Sequence, residues 1–210
     1  MPADPRRHLS MLRSYTPADA LTIANAACGT LAVFLCLEYL LQRQARFVWV
    51  AIALLPMALV FDVLDGYVAR LDRARQSRLG ADLDSLADVI SFGVAPAVLG
   101  YTLGLRGGWD MLVLTYFVVC GVSRLARFNV TAATLADVTT GKVKYFEGTP
   151  IPTSIAIVAL LGMAFYLGRF DDRFWFGAWQ LGPAVLHPLA LVFGASGSAM
   201  ISATLRVPKP

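Results

Sequence analysis

Six apolar windows dominate the chain, at about residues 18–41, 47–70, 83–105, 109–130, 150–168 and 181–204. Each is long enough to cross about 30 Å of hydrocarbon as a helix, which takes roughly 20 residues. In hydrocarbon the backbone must satisfy its own hydrogen bonds, so helices are the expected spanning form. Composition agrees. Of 210 residues, 57% are hydrophobic and 15% charged, whereas a soluble domain carries about 25% charged residues. The chain reads as an all-α integral membrane protein with about six transmembrane helices. A basic leader at 1–15, one six-helix domain at 16–206 and a short tail at 207–210 are expected. No small-residue cleavage site follows a short apolar core near the N-terminus, so the leader does not read as a signal peptide. Cys28, Cys36 and Cys120 all fall in apolar stretches, without a CxxC pair, and read as buried free thiols.

The net charge of +4 does not point to nucleic acid, because the basic residues sit in short clusters between apolar runs. With six spans, one side holds Arg6, Arg7, Arg13, Arg70, Arg73, Arg75, Arg78, Arg124, Arg127, Lys142, Lys144, Arg206 and Lys209. The other holds Arg43, Arg46, Arg106, Arg169 and Arg173. The positive-inside rule then places both termini at the cytoplasmic face. Trp175 and Trp179 read as interfacial anchors on the opposite side.

The stretch "DVLDGYVARLDRARQSRLGADLDSLAD" (62–88) joins the second and third windows and is unusually acidic. Asp62 and Asp65 are three apart, and Asp84 and Asp88 are four apart, so each pair shares one helical face. A short loop makes the two helices antiparallel neighbours, and four carboxylates can then converge in one cleft. Unpaired, such charges repel each other and are costly to desolvate. Hard divalent cations, Mg²⁺ or Mn²⁺, suit an all-oxygen cluster, and two of them make an apparatus for phosphoryl-type transfer. Gly66 and Gly80 leave room for an anionic ligand, Gly80 lies at a helix N-terminus, and Arg70 is placed to reach a phosphate oxygen. Asp72 and Asp82 read as caps or partners of the loop arginines.

Asp62, Asp65, Gly66, Ala69, Arg70, Gly80, Asp84 and Asp88, in this order and spacing, resemble the signature of the CDP-alcohol phosphatidyltransferase family. The loop between Arg70 and Gly80 is one residue longer than is usual there. "LDSLADVISFGVAPA", "CGVSRLARFNV" and "YFEGTPIPTSIA" are similar to the branch of that family that makes phosphatidylserine. The resemblance implies two divalent cations on Asp62, Asp65, Asp84 and Asp88, with Asp88 also the general base. It implies CDP contacts from Thr22, Asn25, Gly66, Ala69, Arg70, Ser77 and Gly80. It also implies transfer of a phosphatidyl group from CDP-diacylglycerol to L-serine, acyl chains held in the membrane lipid, and a homodimer, with a bacterial inner membrane the expected location. Arg124 and Arg127, three apart on one face, read as a clamp on a lipid phosphate or the serine carboxylate, or as topology markers. Glu147 reads as a partner for the serine ammonium or for a nearby lysine, and Lys144 as a contact for anionic head groups. His187 reads as a packing residue of the last helix. The same aspartates would serve other acceptors (inositol phosphate, glycerol phosphate, ethanolamine or choline). A cation or proton transporter is the different-class alternative, disfavoured because the acids cluster at one membrane face rather than near the midplane.

Overall fold

The computed structural model describes residues 16–71, 78–136, 145–202 and 206–208. Helix α1, Pro17–Gln42, starts at a capping box. The Thr16 hydroxyl accepts from the Asp19 amide at 3.2 Å, and the Asp19 carboxylate accepts from the Thr16 amide at 2.7 Å. Arg43, in left-handed backbone conformation at φ 55°, ends α1, and α2, Ala45–Leu71, returns antiparallel along it. Next come α3, Arg78–Asp88, a π turn at Val89–Val94 and α4, Ala95–Leu103, which run on as one rod. Helix α5, Gly108–Ala136, extends six residues beyond the fourth apolar window. A 3₁₀ turn at Ile151–Ser154 leads into α6, Ile155–Tyr166, and α7 is Ala190–Ile201.

Among the described residues, four helical segments are long and apolar enough to cross a membrane: 17–42, 45–70, 80–103 and 108–130. Two shorter apolar helices, Ile151–Tyr166 and Ala190–Ile201, accompany them. The chain is therefore a mostly helical membrane protein. The last apolar window departs from expectation. Instead of a helix over 181–204, strands β2, Trp179–Leu181, and β3, Ala184–Leu186, form an antiparallel hairpin. Gly182, at φ 63°, supplies the turn with Pro183, and Pro188 then delays the helix. A second small ladder pairs β1, Tyr145–Glu147, with β4, Arg206–Pro208, beside the mostly helical body that the sequence predicts.

The interior is packed around Phe92, Leu99 and Leu103 of the α3–α4 rod, Phe117 of α5, Leu161 of α6 and Phe193 of α7. Phe117 and Phe193 meet edge to face at 5.3 Å. The outer faces are equally apolar: Leu31, Phe34 and Leu37 on α1, Met57, Val60 and Val63 on α2, and Leu112 and Val119 on α5 are all exposed. So continuous an apolar surface is what lipid tails would cover. Cys28, Cys36 and Cys120 are free and buried, as the sequence indicates.

At the end opposite the acidic stretch, a buried pair ties the hairpin down. His187 is not in a helix but just before α7. Its amide donates to Asp110 at 2.7 Å and its Nδ1 lies 2.6 Å from the same carboxylate. Asp110, fully buried in the first turn of α5, also accepts from the Gly107 amide at 2.8 Å. A side chain at Gly107 would strike the Val185 carbonyl, so the hairpin seats directly on this turn.

Candidate active site

Helix α2 presents Asp62 and Asp65, and α3 presents Asp84 and Asp88. One carboxylate oxygen from each of Asp62, Asp84 and Asp88 lies within 4.8 Å of the other two. Oxygens on one divalent cation lie no more than about 5 Å apart, twice a ligand distance of about 2.0–2.6 Å. The donor set therefore fits such an ion. The fit has a second support, since Asp84 Oδ1 is buried with no hydrogen-bond partner among the described residues.

Asp65 sits at the edge of this group, 6% exposed, and accepts a 2.6 Å hydrogen bond from the Thr22 hydroxyl of α1. Asp88, 7% exposed, accepts from the Asn25 side-chain amide at 3.4 Å. So Thr22 and Asn25 face the carboxylates. Gly66 is half-buried, and its carbonyl accepts from Arg70 Nε at 2.9 Å, which folds the exposed Arg70 back over the glycine. Ala69 follows Asp65 by one turn and is half-buried, and Gly80 is half-buried in the first turn of α3. Ser77 and Lys144 lie outside the described residues.

Helix α5 closes the site from the other side. Arg124 is half-buried, close enough to Asp88 for their charges to interact, and its Nε has no hydrogen-bond partner among the described residues. Arg127, one turn later, is exposed. Glu147 lies in β1, where its backbone stands opposite Arg206. Two further contacts escape sequence reasoning. Ser85, beside Asp84, bonds to Asn129 of α5 at 3.0 Å. Ser91, inside the π turn, donates to the Asn25 carbonyl at 2.9 Å. An interior Ser or Asn on an apolar helix was the available signal, but its partner is set by helix crossing and not by spacing.

The family model described as CDP-alcohol phosphatidyltransferase matches residues 15–195. The chain belongs to the CDP-alcohol phosphatidyltransferase family. Among its relatives within curated proteins is a CDP-diacylglycerol–serine O-phosphatidyltransferase of Saccharomyces cerevisiae, 44% identical over 97% of this chain and 74% of the relative. An archaetidylserine synthase of Methanothermobacter thermautotrophicus is 38% identical over 72% of the chain and 58% of its own length. A CDP-diacylglycerol–serine O-phosphatidyltransferase of Mycobacterium tuberculosis is 36% identical over 78% of the chain and 54% of its own length. The chain thus spans three quarters of the yeast relative and little more than half of the other two. The matched residues include Asp62, Asp65, Asp84 and Asp88.

Proposed function

We propose that this chain transfers the phosphatidyl group of CDP-diacylglycerol to L-serine, yielding phosphatidylserine and CMP. The observation that carries the chemistry is the convergence of the Asp62, Asp84 and Asp88 carboxylates within 4.8 Å. The choice of serine is supported by the names of the yeast and mycobacterial relatives.

Asp62, Asp65, Asp84 and Asp88 would hold two divalent cations, Mg²⁺ or Mn²⁺. Bound there, these would neutralise the pyrophosphate and stabilise the departing CMP. Arg70, with Gly66, Ala69, Gly80 and Ser77, binds the CDP moiety, the arginine leaving the Gly66 carbonyl for a phosphate oxygen. Asp88, at the buried end of the cluster, takes the proton of the serine hydroxyl. The serine oxygen then bonds to the phosphorus that carries diacylglycerol, while the bond from that phosphorus to the bridging oxygen breaks and CMP departs. No bond to the protein forms. Arg124 receives the serine carboxylate or the lipid phosphate, and Arg127, Lys144 and Glu147 assist with the acceptor or the lipid head group. The acyl chains remain among the membrane lipid. The basic-residue bias supports a site that faces the cytoplasm; the family resemblance supports a homodimer, and a bacterial inner membrane is the expected setting.

The test is CMP release by the purified protein with CDP-diacylglycerol, Mg²⁺ or Mn²⁺, and a panel of acceptors. Release with L-serine is expected. Release with inositol phosphate alone overturns the acceptor and leaves the chemistry intact. No release with any acceptor, together with cation flux in liposomes lacking nucleotide, overturns the reaction in favour of transport.

A further inference from the structure

Two side chains of α1 donate toward the carboxylate cluster, while the buried Asp19 carboxylate of the same helix is held by the Thr16 amide. Thr22 and Asn25 are three residues apart, on one face of the helix. The Thr22 hydroxyl stands 2.6 Å from Asp65 Oδ2, and the Asn25 amide nitrogen 3.4 Å from Asp88 Oδ1. Both are buried, Asn25 completely, so water does not compete for these contacts. The family resemblance gives them to the nucleotide, but the geometry gives them to the aspartates.

The backbone holds this arrangement firmly. The Ser91 hydroxyl donates to the Asn25 carbonyl at 2.9 Å, joining α1 to the π turn that follows Asp88. One turn along α1, Gly29 packs so closely that a Cβ there would lie 2.4 Å from Ser91 Oγ. Asn25 Oδ1 is buried and has no hydrogen-bond partner among the described residues. A buried amide that leaves its oxygen unmatched is retained at a cost, which points to its nitrogen as the useful end. A carboxylate offers about four acceptor positions. One neutral donor fixes its plane without cancelling its charge, and the remaining positions stay available to a cation.

From this geometry, and resting on the two-cation reaction proposed above, we infer that Thr22 and Asn25 are positioning residues that aim Asp65 and Asp88 from α1. They set cation affinity and the alignment of the base. Partners that orient metal ligands in this way typically change affinity or activity by about 10- to 100-fold when removed.

The test uses the full-length protein in detergent micelles. Free Mn²⁺ is followed by electron paramagnetic resonance, and CMP release is measured with CDP-diacylglycerol and L-serine varied separately. Thr22→Val, nearly isosteric, is expected to weaken Mn²⁺ binding about 10- to 100-fold, and Thr22→Ser to recover most of it. Asn25→Ala is expected to lower kcat by a similar factor, with the KM for CDP-diacylglycerol unchanged to within about twofold. Asn25→Asp, which replaces the donor by a like charge, is expected to be worse than Asn25→Ala. Wild-type Mn²⁺ affinity in Thr22→Val, or a raised KM for CDP-diacylglycerol at constant kcat in either variant, overturns the inference and makes these residues nucleotide contacts. Should Asn25→Ala not elute as a monodisperse particle, Asn25→Ser takes its place, with the same fall in kcat expected and the same rise in KM overturning the inference. If the wild-type protein itself binds no Mn²⁺ and releases no CMP, the proposed reaction fails and not merely the role of α1.

Discussion

Asp88 is asked to do two things, to hold a cation and to take a proton, and a single atom separates them. Asp88→Asn keeps an oxygen ligand and the side-chain shape but removes the base. Turnover should fall by about 100- to 10,000-fold, the usual worth of a positioned base. Binding of CDP-diacylglycerol, measured by calorimetry, should largely persist; its loss would make Asp88 chiefly a ligand. The two arginines of α5 should also separate. Arg124 is half-buried beside Asp88 and Arg127 is exposed. Arg124→Ala should raise the KM for serine or for the lipid by about 10- to 100-fold, matching a charged hydrogen bond of about 1.5–3 kcal/mol, and Arg127→Ala should raise it less. The four aspartates were legible in the sequence because their spacing is helical and their partners lie just across a short loop. Thr22 and Asn25 were named for the nucleotide, but their pairing with Asp65 and Asp88 was not legible. Thr22 and Asp65 are 43 residues apart, and only the crossing of α1 and α2 brings them together.

At the level of elements, the approach of α1 to the π turn depends on Gly29. Gly29→Val would put a Cβ 2.4 Å from Ser91 Oγ, pushing α1 off the π turn and drawing the Thr22 and Asn25 donors out of range. Activity should fall sharply even though residue 29 is a full turn beyond Asn25, as CMP release will show. The far end has its own fastener. Asp110 takes three hydrogen bonds, two of them from His187, and holds the β2–β3 hairpin on the first turn of α5. Asp110→Asn weakens this pairing inside a buried site. A loss of about 1–3 kcal/mol of stability is expected, seen as a lower thermal midpoint, with the KM for both substrates unaltered because the pair lies away from the cluster. Hydropathy reads the last window as one span because Leu181, Ala184, Val185 and Leu186 are as apolar in a strand as in a helix. The Gly182-Pro183 and His187-Pro188 pairs carried the information that it is broken. The π turn at "VISFGV" left no such mark in the sequence, which carries no proline there and reads as part of one apolar window.

Taken whole, the molecule gathers its aspartate cluster toward one end and keeps hydrocarbon around its girth. That division gives two expectations. A cysteine at Ala81, exposed in α3, should react with an impermeant maleimide only from the cytoplasmic side, and one at Gln180 in the hairpin only from the other; the native thiols are buried and should stay silent. The reverse pattern would invert the proposed topology. Removing divalent cations with a chelator should abolish CMP release, and adding Mg²⁺ or Mn²⁺ should restore it, because four carboxylates without counter-ions repel one another. The π turn matters at this scale too. Each residue of a helix advances the side-chain direction by about 100°, and a π turn takes in one residue more than an α turn. That surplus sets the rotational phase between Asp84 and Asp88 on one side of it and Leu99 and Leu103 on the other. Deleting a single residue from 89–94 would leave a helix of nearly the same length and greasiness. It would also turn the acids and the leucines out of step, so the chain could seat its core or assemble its carboxylates but not both at once.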